Sequence, residues 1–175
     1  MRLGVLVANG LVLAGIGAMA LMGAGEQQVA PVLSAAGAGS ADVAALERAA
    51  ADAPTLEATA ALANAYLDRD QPGLASAVLD RAPRAVRERP EIAQIYARAL
   101  FHRGHAREAL AFAEAASDAC SAGGCPAWLV ATTSHEVAFL GEMVAAGIED
   151  PLRDPAATRA AYERSVREVR LVAMR

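Results

Sequence analysis

From residue 40 onward, apolar residues recur every three or four positions along much of the chain. Leu56, Leu62, Ala63 and Tyr66 form one stripe, and Ile92, Ile95, Tyr96 and Leu100 form another. Residues at that spacing share one face of a helix, so each stripe predicts an amphipathic helix. A sheet would need β-branched and aromatic residues in alternation with polar ones, and no convincing run of that kind is present. The pattern predicts an all-α domain.

Local signals place the helix ends. Ser40 or Asp42 is suited to cap a short helix over Val43, Leu46 and Ala50. Ala53-Pro54 interrupts it, because the residue before proline is disfavoured in the α region. The next helix is expected from about Pro54 to Leu67. Asp70-Gln71-Pro72 reads as a restart, with Asp70 as the capping acid and Pro72 in the first turn. Pro83 ends that helix and Pro90 starts another, which Gly104 closes in a left-handed turn. A partner helix carries Ala109, Leu110 and Ala113. Further on, Thr133-Ser134-His135-Glu136 resembles a capping box, so a helix is expected to restart there. Asp154-Pro155 opens a last helix with Tyr162, Val166, Val169 and Ala173 as its apolar stripe. Glu163–Arg167 and Arg164–Glu168 are spaced as i,i+4 ion pairs on it.

Two segments repeat 34 residues apart. The first reads Leu62-Ala63-x-x-Tyr66, then Ala75, Leu79 and Ala82; the second reads Tyr96-Ala97-x-x-Leu100, then Gly104, Ala109, Ala113 and Ala116. A fixed period of this length marks a helix–turn–helix unit that stacks on its own copies. Over about residues 55–119 the chain resembles the tetratricopeptide repeat (TPR) family. Thr59 and Ala93 depart from it where a bulky residue is common, and Arg87 stands where a proline often ends a unit. A third unit is degenerate: the register continues to Ala131 but then meets Met143. The resemblance implies a short solenoid of antiparallel helix pairs over residues 40–175, closed by a C-terminal capping helix.

The first 25 residues change the picture of location. Met1-Arg2 precedes an uncharged, mostly apolar run from Leu3 to Gly25, followed by Glu26. A spanning helix needs about 20 apolar residues and a signal-peptide core only about 7–15. The run is expected to be a single-pass signal anchor with its N-terminus in the cytoplasm. A cleaved signal peptide is the alternative, since Ala18-Met19-Ala20 has the small-x-small form of a cleavage site. Residues 26–39 read as a flexible linker. The domain would then lie in the periplasm, held at a bacterial inner membrane, or be free there after cleavage.

Charge and composition narrow the partners. All 16 basic residues are Arg, and the net charge of −4 argues against general nucleic-acid binding. Cys120 and Cys125 flank a Gly-containing loop, and an extracytoplasmic location favours a disulfide between them. Redox thiols or a zinc site with His102 and His105 are the alternatives, though neither a Cys-x-x-Cys nor zinc spacing is visible. No phosphate loop, HExxH or nucleophile pattern stands out, so no enzyme, cofactor or metal is expected.

By resemblance, the concave face would present Ala60, Asn64, Leu67 and Asp68 in one unit, and Gln94, Arg98, Phe101 and His102 in the next. Gln94, Arg98 and His102 share one helix face by spacing alone. Asn64 and Gln94 are suited to a peptide backbone, Arg98 to a carboxylate, and Phe101 with Leu67 to an apolar side chain. The expected function is a membrane-tethered envelope scaffold that binds a protein or peptide partner. A helical bundle acting through self-association is the competing expectation.

Overall fold

The computed structural model describes residues 42–172, with side chains as far as Arg167. The expected anchor (1–25) and linker (26–39) lie outside the described residues, as do Ser40, Ala173 and the side chains of Glu168 and Val169. Among the described residues there are eight helices and no strand: α1 (Val43–Asp52), α2 (Leu56–Leu67), α3 (Pro72–Arg81), α4 (Arg84–Arg87), α5 (Pro90–His102), α6 (Ala106–Ser121), α7 (Ala127–Ala145) and α8 (Pro155–Val172). No helix among them is long and apolar enough to cross a membrane.

Local chemistry fixes most of the ends. Asp42 accepts from the Ala44 amide and caps α1. Helix α2 starts at Leu56, two residues later than expected, because Thr55 supplies the cap by accepting from the Ala58 amide. Pro72 and Pro90 each occupy a first turn. Asp70 does not cap α3: the cap position is Gln71, without a side-chain bond, and Asp70 turns the chain at φ 55°. Asp is among the few residues that adopt this left-handed geometry readily. Gly104 closes α5 at φ 79°, as its position predicts. The short α4 between Pro83 and Pro90 was not expected.

The largest departure lies in α7, which runs unbroken through the supposed restart. The Thr133 hydroxyl is fully buried and donates to the Leu129 carbonyl one turn back. This mid-helix bond replaces the capping bond that the sequence predicts. At the next helix Asp154 does cap, accepting from the Ala157 amide at 2.9 Å.

Consecutive helices other than α3 and the short α4 pack on one another, and α5 also packs on both α2 and α3. Helices α2 and α5 start 34 residues apart, as do α3 and α6. Ala63, Ala75, Ala97 and Ala109 are fully buried at the matching positions. A methyl side chain lets two helices approach closely, so the small residues that recur at this spacing lie where helices pack. The step from α5 to α7 is longer, from Pro90 to Ala127. Continuing by 34 therefore lands on Ala131, which is exposed, while Leu129, Leu140 and Met143 fill the interior.

Two cores result. Leu62, Tyr66, Leu79, Ile92 and Ile95 form the first, and Ala97, Leu100, Ala113, Leu140, Met143 and Ala161 the second. Helix α5 contributes to both. Helix α8 buries Ala161 and Ser165 and leaves Tyr162 48% exposed, so its inner stripe is offset by one residue from the expected one. Its ion pairing also differs. Arg164 reaches across to Glu142 on α7, and Arg167 donates to the Glu163 carbonyl oxygen instead of its carboxylate.

The cysteines are joined, with their Cα atoms 5.0 Å apart. Cys120 is buried in the last turn of α6, and Cys125 precedes α7 by two residues. Gly123 and Gly124, at φ 99° and 94°, turn the chain between them.

Candidate functional site

Helices α2, α5 and α7 are tied to one another by side-chain hydrogen bonds. Asn64 and Arg98 are equivalent positions 34 residues apart, and the Arg98 guanidinium donates to the Asn64 amide oxygen at 3.0 Å. Gln94, one turn earlier on α5, donates to the Glu136 carboxylate at 3.3 Å. A polar ladder thus runs from α2 through α5 to α7.

An aromatic row continues from the ladder. Phe101 meets Phe139 edge-to-face with centroids 5.6 Å apart, and Phe139 meets Tyr162 at 5.8 Å. His135 meets the same tyrosine at 5.6 Å. Edge-to-face contacts of this kind contribute roughly 0.5–1.5 kcal/mol each beyond burial. Phe139 lies three residues after Glu136 and four after His135, so the row and the ladder share one face of α7.

No family model, curated protein or solved structure matches the chain. The functional reading therefore rests on this geometry.

The residues singled out from sequence divide into three groups. Asn64, Gln94 and Arg98 are brought together but bond across helices, with Gln94 only 7% exposed. Ala60 and Leu67 lie in the first core, so their side chains are committed to packing. Asp68 and His102 are exposed, and Phe101 is half-buried against Phe139 and His102. Three side chains of this face were missed: Glu136, Phe139 and Tyr162. The sequence places Glu136 in a capping box and Tyr162 in an apolar stripe. An unbroken helical stripe from Trp128 to Met143 was the signal that would have placed Glu136 on α7.

Electrostatics set Glu136 apart. Burial pushes its carboxyl up to about 7, against smaller opposing effects of the Gln94 hydrogen bond and the Arg98 charge. Elsewhere, burial and a 2.7 Å hydrogen bond to Asp80 push the Tyr96 phenol up to about 12. That tyrosine stacks on Phe112 at 4.5 Å on another side of α5. Among the described residues no group of three or more His, Cys, Asp or Glu is placed to hold a metal ion.

Proposed function

We propose that the chain is a TPR-like interaction module whose inner face binds a protein or peptide partner, without enzymatic activity. The observation that carries this reading is the ladder and aromatic row crossing α2, α5, α7 and α8. Polar groups, ring edges and exposed flanks then lie side by side on α2, α5, α7 and α8, as a peptide groove requires. The equal 34-residue step of the helix pairs supports the solenoid reading. The apolar run at Leu3–Gly25 and the Cys120–Cys125 disulfide support an extracytoplasmic scaffold tethered to a bacterial inner membrane.

The ladder refines the roles of its members. Arg98 and Asn64 hold the spacing of two units, while exposed Asp68 and His102 flank the strip and meet the partner. The test is capture of envelope proteins by the full chain, compared with a variant carrying Asp68→Arg and His102→Glu. Both side chains are exposed, so helicity and unfolding midpoint should stay unchanged while capture is lost. Unchanged capture would remove the groove assignment. A self-associated species with no distinct partner would favour the bundle.

A further inference from the structure

We infer that the inner face takes a partner segment with a Lys or Arg side chain next to an apolar one. The cation sits against Glu136 and the apolar side chain on the Phe139–Tyr162 pair. The inference rests on the groove reading and specifies the occupant.

Charge complementarity leads to it. Glu136 receives a single neutral N–H, from Gln94, on one of its two oxygens. A carboxylate has about four acceptor sites, so most of its capacity is unused. Glu91 lies one turn before Gln94 on the same helix face. One of its oxygens is bridged by Arg89 at 3.3 Å, and the other is buried with no hydrogen-bond partner. Leaving that Glu91 acceptor buried and unpaired is costly, and a cation is the partner that relieves it most. The cations beside these carboxylates are already engaged: Arg98 donates to the Asn64 amide oxygen and Arg89 to Glu91. An acidic segment would meet two carboxylates beside arginines that are already engaged, so its charge is mismatched.

The rings define the second half of the motif. Phe139 is one turn from Glu136, and Tyr162 beside it is 48% exposed. A Lys or Arg side chain lies with its alkyl stem along such rings while its head reaches the carboxylate. The neighbouring apolar side chain of the segment covers the remaining ring surface.

The experiment pans a phage-displayed library of random short peptides against the full chain and against its Glu136→Gln variant. The variant keeps a hydrogen-bonding partner for Gln94, so it retains the fold. Wild-type selections should be enriched in peptides with Lys or Arg beside an apolar residue. Those peptides should bind the variant about 10- to 100-fold more weakly, as loss of one charge-assisted hydrogen bond dictates. Peptides that are displaced by Asp68→Arg/His102→Glu but show no basic preference, an acidic preference included, or that bind Glu136→Gln equally well, would overturn the basic anchor and leave the groove standing. Recovery of no peptide sensitive to either set of substitutions would overturn both.

Discussion

Glu136 illustrates how one buried charge couples packing to pH. Its ordinary value is 4.5, and in the fold it rises to about 7 because burial outweighs Gln94 and Arg98. Between those values the folded state holds a proton that the unfolded state has lost. Stability therefore falls as pH rises through that window and stays lower above it. Glu136→Gln removes the titration and the desolvated charge together. Urea midpoints at pH 5 and pH 8 should differ less in the variant than in the wild type. At pH 8 the variant should be more stable by about 1–3 kcal/mol. A second residue-scale constraint is Gly104. A Cβ there would stand 3.0 Å from the Asp150 Cγ, on a backbone at φ 79° that side chains rarely adopt. Gly104→Ala should destabilise by about 1–3 kcal/mol, and thermal melts compared at one pH would check it.

At the scale of elements, the joints carry the specification. The loop after α7 folds back so that the Glu149 carbonyl accepts from the Ala106 amide at 3.1 Å, satisfying one of the first amides of α6. The disulfide acts at the other end of α6, where it holds the last turn against the start of α7. Its short loop limits the chain-entropy gain to about 2 kcal/mol. Cys120→Ser with Cys125→Ser should lower stability by about that amount, read from denaturant unfolding, and reductant should do the same to the wild type. These joints also show which parts of the fold were legible. Pro72, Pro90, Gly104 and Asp154-Pro155 marked helix ends because their effect is local. The side-chain bonds between helices were not legible in the same way. Gln94 meets Glu136 across 42 residues and Arg164 meets Glu142 across 22, and no neighbouring residue announces either. The face of α8 failed for a packing reason. Hydrophobicity pointed to Tyr162 and Val166, whereas Ala161 and Ser165 are small enough to let α8 close on α7.

Over the whole molecule, the division into two cores predicts how the chain unfolds. Ile92, Ile95 and Ala99 of α5 face the first core, while Ala97 and Leu100 of the same helix face the second. Each core is closed mainly by neighbours in sequence, so stability should be a sum of units and of the interfaces between them. Helix α8 covers Leu140 and Met143 together with its own Ala161. A chain ended at Asp150 keeps the Glu149 bond to α6 but uncovers that surface. Its α7 amides, and next those of α6, should lose protection in hydrogen exchange. The amides of α2 and α3 should keep most of theirs, because the first core loses no member. Equal loss of protection in α2, α3 and α7 would mean a single cooperative core. It would also undercut the stacked-pair reading, since α5 would then join the halves into one unit instead of serving as the shared wall between two.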